Sequence, residues 1–326
     1  MKTFFKSIPL PMCGLILAIL SLGNLIISYQ LNVIGEIISI FGVILMSLIL
    51  AKVIFVFEHV RKDLRNHLVA STAPTFTMGA MVICTDLMRW FPHSYFVKYL
   101  WLFLIAIQLL LIIYFTYAFL IAPEVQIGHI YPSWFVIYCG LGIVPITCSQ
   151  FYPVVGRFIF WSALVFYFIL LPVVIYRVFI HRKFEKHELP VITIMAAPGS
   201  LCLTGYLSAF SNPNFALVTT LVIISQFLYL CILCALPHLL RFEFYPSYAA
   251  FTFPLVICAT ALTKSFNYYN NLGYNVQFMH YIAIFETCLA AIIVGYVLIK
   301  YVIHIVQSTA ENITPDTDLN EMLDEQ

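Results

Sequence analysis

Apolar runs long enough to cross a bilayer recur from residue 11 to residue 306. Only two segments of dense charge interrupt them, EHVRKDLRNH at 58–67 and HRKFEKHE at 181–188. In hydrocarbon no water is available to the backbone, so each run must satisfy its own N–H and C=O groups and is read as a spanning helix. With 62% hydrophobic and only 10% charged residues, the chain is an all-α integral membrane protein of many spans rather than a soluble protein with one anchor.

The runs predict ten spans: 11–27, 33–57, 74–90, 95–121, 132–151, 154–180, 190–210, 215–240, 246–266 and 276–306. The first follows Lys2 and Lys6 and resembles a signal peptide, but it lacks a small-residue cleavage site and is kept as a span. If all ten cross the membrane, twelve of the sixteen Lys and Arg fall on the side of the N-terminus, and Arg89, Lys98, Arg157 and Lys264 on the other. The positive-inside rule then places both termini in the cytoplasm of a cell-membrane protein. The expected division is a short N-terminus (1–8), a membrane domain (9–306) and an acidic disordered tail (307–326) holding Glu311, Asp316, Asp318, Glu321, Asp324 and Glu325. The Asn312 triplet N-I-T would accept a glycan only on an extracytoplasmic tail, which this topology argues against.

A weak repeat runs through the spans. The odd-numbered ones start at or just after a proline: Pro9 and Pro11, Pro74, Pro132, Pro190 and Pro246. A helix's first turn has no use for the N–H that proline lacks. Three odd spans carry a second proline, at Pro145, Pro198 and Pro254, and the odd spans are rich in small residues, among them Gly14, Gly79, Gly140, Gly199 and Ala250. The even spans are longer and greasier. This pattern predicts five helical hairpins, each giving one kinked, small-residue helix to a central pore and one apolar helix to the exterior. The alternative reading is close helix packing with no pore.

The most informative span contains PSYAAFTFPLVICATAL, 246–262. Proline at 254 deprives the Ala250 carbonyl of its helical partner, so the helix should bend there. Phe253, a bulky ring at that bend among Ala249, Ala250 and Thr252, is placed as a pore constriction would be; the plainer alternative is a packing or lipid-facing Phe. Asp86 is the one acid in the odd spans, and Arg89 shares its helix face. A pore walled by the odd helices would be nearly free of negative charge and would carry Lys264, about three turns beyond Phe253. Lys264 and Arg89 are the candidate anion-attracting residues, although Lys264 also fits a snorkelling role at a helix end. Glu286, mid-span in the tenth helix, is the candidate for proton coupling.

The nine cysteines are scattered through apolar runs and read as small buried hydrophobes. No H-E-x-x-H pattern or nucleophile–base pair stands out, so neither an enzyme, a metal nor any other cofactor is expected, and nothing points to a nucleic-acid partner.

Four segments carry a family resemblance: PLPMCGLILAILSLGNL near the N-terminus, YPSWF opening the fifth span, APGSLCLTGYLSAF in the seventh and PSYAAFTFPLVICATA in the ninth. In their order and in its ten-span count the chain resembles the tellurite-resistance and dicarboxylate transporter family, which includes bacterial TehA, fungal malate permeases and the slow anion channels of plant guard cells. The compact loops fit a prokaryotic member. The resemblance implies five hairpins around a central pore, homotrimers with one pore per protomer, and occlusion by a ninth-helix Phe, which falls on Phe253 within AFTFP. It implies a channel for small anions such as chloride or nitrate. A proton-coupled transporter of dicarboxylates such as malate, or a tellurite-resistance exporter, is the alternative.

Overall fold

A computed structural model of the chain describes residues 2–121, 128 and 130–311. Among these residues there are helices and no strands. We number the ten principal helical segments α1 (Met12–Ser28), α2 (Asn32–Phe55), α3 (His67–Trp90), α4 (Tyr95–Ile121), α5 (Trp134–Gln150), α6 (Pro153–His181), α7 (Leu189–Ala209), α8 (Phe215–Leu239), α9 (Pro246–Asn271) and α10 (Gln277–Ala310). Eight of them are long and apolar enough to cross a bilayer, and α1 and α5 are shorter apolar helices. The chain is an all-α membrane protein.

The helices form two layers. The central stretches of α7 and α9 are 83% and 78% buried, whereas those of α2, α4, α6, α8 and α10 are only 28–33% buried. The even helices present a belt of Ile, Leu, Phe and Tyr outward, for example Ile37, Phe103, Phe158, Phe227 and Ile292. Such a face is stable only against lipid or another apolar surface. Small residues let the layers meet: at Gly23 on α1 a methyl group would lie 2.8 Å from the Gly35 carbonyl oxygen of α2 and 2.5 Å from Ser39 Oγ. A side chain there would force the hairpin apart.

The inner helices carry breaks where the sequence predicts bends, but of a different kind. In α9 a 3₁₀ segment, Pro246–Phe251, gives way to the α-helix Phe253–Asn271, with Pro254 in its first turn. In α7, Leu189–Ala196 is 3₁₀ and Ala197–Ala209 is α, with Pro198 at the join. In α5, short α and 3₁₀ stretches alternate around Pro145. Each proline thus stands at or near the start of a new helical stretch, where a missing N–H is best tolerated, instead of deforming a continuous helix.

The two charged segments lie at one end of the bundle. There the buried Lys52 ammonium is bonded by the Ile8 carbonyl and lies 3.6 Å from Asp63, tying the N-terminal helix Lys2–Ser7 and the helix Phe57–Asp63 to α2. The last helix continues to Glu311, past the expected end at 306. The predicted acidic tail beyond it, with Asn312, lies outside the described residues.

Candidate functional site

Two cavities open within the inner layer. One, of about 420 Å³, lies at the charged-loop end and is lined in part by Asn66 and His187; we call it the near cavity. The other, of about 590 Å³, is the far cavity. Both are lined by all five odd-numbered helices, and among the described residues none of an even-numbered helix lines either. On each helix the linings divide cleanly: Gly14 against Ser21 on α1, Met78 against Val82 on α3, Gly140 against Ile143 on α5, Leu201 against Leu207 on α7, and Pro254 against Ile257 on α9. The cavities are therefore stacked along the bundle with a thin closed layer between them. Buried apolar residues, among them Leu17, Ala18, Met81, Leu141 and Leu203, fall in that layer.

Phe253 lines the near cavity at its closed end and is 8% exposed. Ile257, one turn or about 6 Å further along α9, lines the far cavity. The backbone break at Thr252 fixes where the ring stands. The Ala250 carbonyl, orphaned by Pro254, is met at 2.7 Å by the Thr193 hydroxyl of α7, which lies equally close to the Pro190 carbonyl. Thr252 donates its own hydroxyl to the Ala249 carbonyl at 2.6 Å. A freed carbonyl inside a membrane protein needs such a partner, and here it ties the α9 break to the 3₁₀ part of α7.

No Asp or Glu lines either cavity among the described residues. The near cavity has no ionisable lining residue other than His187 and Tyr245. The far cavity carries Arg89 and Lys264 among hydroxyl and amide side chains. Lys264 Nζ donates to Ser208 Oγ at 2.6 Å. Arg89 is committed differently: NH1 bonds Glu36 at 2.7 Å, and NH2 bonds Asp86 at 2.9 Å and the Asn24 side chain. Trp90 Nε1 also donates to Glu36, at 2.7 Å.

The chain as a whole has counterparts among known proteins. The family model described as voltage-dependent anion channel matches residues 7–302. The chain belongs to the voltage-dependent anion channel family. It is also similar to an uncharacterized transporter of Methanocaldococcus jannaschii, 24% identical over 216 residues. That match covers 59% of this chain and 63% of the transporter, so the chain spans less than two thirds of that relative's length. The family match bears out the resemblance carried by the sequence motifs.

Within this member of the voltage-dependent anion channel family, the residues singled out from sequence separate into two groups. Gly14, Gly140, Ala250, Pro198, Pro254 and Phe253 line the near cavity, and Arg89 and Lys264 the far one. Gly79, Gly199 and Pro145, also expected along the pore, line neither cavity. A methyl group at Gly79 would lie 2.6 Å from Met46 Cε of α2, and one at Gly199 would lie 2.9 Å from both Tyr167 Oη of α6 and Ser225 Oγ of α8. These glycines admit outer-layer side chains. Pro145 packs against Gly205, whose added methyl would meet its Cγ at 2.8 Å. Glu286 is 1% exposed on α10 and lines neither cavity; the Gln226 side chain of α8 lies beside it.

Sequence reading missed two contributors. Thr193 had no signal beyond lying in a proline-rich span. Glu36 was visible only as an acid near the start of an even span, and its partner Arg89 is 53 residues away.

Proposed function

We propose that this protein conducts small anions such as chloride or nitrate passively, along the path joining the near and far cavities, and that the Phe253 ring is its barrier. The observation that carries the reading is the pair of stacked cavities, lined by the inner helices and the residues flanking them and, among the described residues, free of carboxylates, with Phe253 at the closed end of one. An anion entering such a path meets no carboxylate in the described lining, the two acids beside Arg89 lying behind that residue, and a cation finds no carboxylate of the lining to pair with. The same reading takes the ten helical segments as five membrane hairpins of a 9–306 membrane domain in the cell membrane. The charged loops and both termini are cytoplasmic, from the distribution of basic residues. Homotrimeric assembly follows from the family resemblance, and the mass of the detergent-solubilised particle tests it.

The function is tested by anion flux from proteoliposomes. Phe253→Ala should raise chloride and nitrate flux at least ~10-fold over wild type, the effect of taking about 1.4 kcal/mol off the barrier, without dependence on a proton gradient. A variant that assembles normally yet conducts no more than wild type rejects Phe253 as the barrier. Slow, saturable malate flux that follows a proton gradient would replace the channel reading with a coupled dicarboxylate transporter.

A further inference from the structure

The far cavity is polar, yet most of its hydroxyls are spent. Thr85, Thr147, Thr260 and Thr263 all line it. Each donates its proton to a carbonyl of its own helix, at 2.6, 3.0, 2.8 and 2.8 Å respectively. Back-bonding of this kind leaves only oxygen lone pairs for a visitor, which an anion does not want. Thr147 additionally accepts from Trp101 Nε1 at 2.9 Å.

The charged donor that remains without a carboxylate partner is Lys264. Its ammonium carries three N–H bonds, and one is used on Ser208 Oγ. Ser208 donates its own hydroxyl to the Thr204 carbonyl at 2.6 Å, so toward Lys264 it acts as an acceptor and fixes the ammonium in place. Asn267 follows Lys264 by three residues on the same helix and lines the same cavity, and Gln150 of α5 contributes a second amide. Lys264 has no carboxylate within ion-pair distance among the described residues, whereas Arg89 shares one guanidinium between Glu36 and Asp86. Arg89 therefore adds no surplus positive charge, and the far cavity offers a single uncompensated cation.

We propose that the far cavity is an anion-binding site in which one monovalent anion is held against the Lys264 ammonium, and that it discriminates against dianions such as dicarboxylates. The site rests on the reading that this cavity belongs to the anion path. A second negative charge would find no second cation, because the only other one is already matched by two carboxylates on the α1–α3 side. Asn267 and Gln150 supply neutral N–H donors that suit a halide or nitrate.

The test is thermal unfolding of the purified full-length protein titrated with nitrate, bromide or malate at constant ionic strength. A ligand that binds only the folded state raises the transition in a saturable way. Nitrate and bromide should stabilise wild type with a midpoint that malate does not reach. Lys264→Gln should shift the nitrate midpoint at least ~10-fold upward, and Lys264→Arg, which keeps the charge, should retain it. An anomalous bromide peak beside Lys264 Nζ locates the site. An unchanged midpoint in Lys264→Gln, or malate binding as well as nitrate in wild type, overturns the proposal. If that midpoint is unchanged while Phe253→Ala conducts, the site is rejected and conduction stands. If Lys264-dependent nitrate binding is seen but Phe253→Ala conducts nothing, the site stands and the conduction reading is rejected.

Discussion

Replacing Arg89 with Gln should destabilise the protein through two carboxylates at once. The guanidinium is the ionic partner of Asp86 at 2.9 Å and Glu36 at 2.7 Å, with side-chain exposures of 0% and 27%. Glu36 keeps its bond from Trp90 Nε1, and Asp86 keeps one from Asn24 at 3.0 Å, so neither acid is left bare. Both lose their only close cation among the described residues, and α1, α2 and α3 lose a shared clasp. Breaking a buried pair from one side costs about 3–5 kcal/mol, and exposure of Glu36 places the sum near the lower figure, about 3 kcal/mol. At roughly 2–4 °C per kcal/mol for a chain of this general size, the transition should fall by roughly 6–12 °C. Fluorescence-monitored unfolding in detergent reads this, and the double variant Arg89→Gln with Asp86→Asn should recover part of the loss, because the buried acid no longer wants a counter-charge. An Arg89→Gln transition within about 1 °C of wild type, or a double variant less stable than the single, would refute the account of Arg89 as a neutralised structural cation.

Other expectations follow from the same geometry. Thr193→Val keeps the shape but withdraws the proton from the Ala250 carbonyl, so it should cost about 1–3 kcal/mol in unfolding measurements and raise resting anion flux by loosening the segment that seats Phe253; unchanged stability would mean that another donor takes over. Glu286→Gln, on a residue that lines neither cavity, should leave nitrate flux and its independence of a proton gradient unchanged in proteoliposomes; abolished flux in a normally assembled variant would move function onto α10.

Much of the layout was legible in the sequence, and the reasons are local. Apolar length marked the helices, and proline at the head of every second run marked the inner layer, because proline is cheap only in a first turn. Phe253 could be located because Pro254 and its small neighbours identify a break. The rest needed three dimensions. Gly79 and Gly199 look like pore glycines because smallness says nothing about which side the small face meets, and here it meets Met46, Tyr167 and Ser225. The Arg89–Asp86 pair is written in an i,i+3 spacing, but Glu36 joins it across a helix interface that no spacing encodes. The exchange of 3₁₀ for α at Thr252 comes with a hydroxyl from α7 reaching the Ala250 carbonyl, a tertiary contact that proline alone does not announce.

The two-layer arrangement bears on how the protein is made. In chain order each inner helix precedes the even-numbered helix that follows it and so leaves the ribosome first. Helices α3, α7 and α9 are also less apolar than α2, α4, α6, α8 and α10. An inner helix released alone into lipid would expose its hydroxyls and loosened carbonyls to hydrocarbon, where unmet polar groups are costly. Each is thus poorly suited to partition by itself and well suited to wait for the greasier helix that follows. Membrane insertion would then proceed in pairs, with the later helix of each pair carrying the earlier one in, and truncations that end between the two members should be retained by the insertion machinery or degraded, whereas truncations that end after a complete pair should integrate.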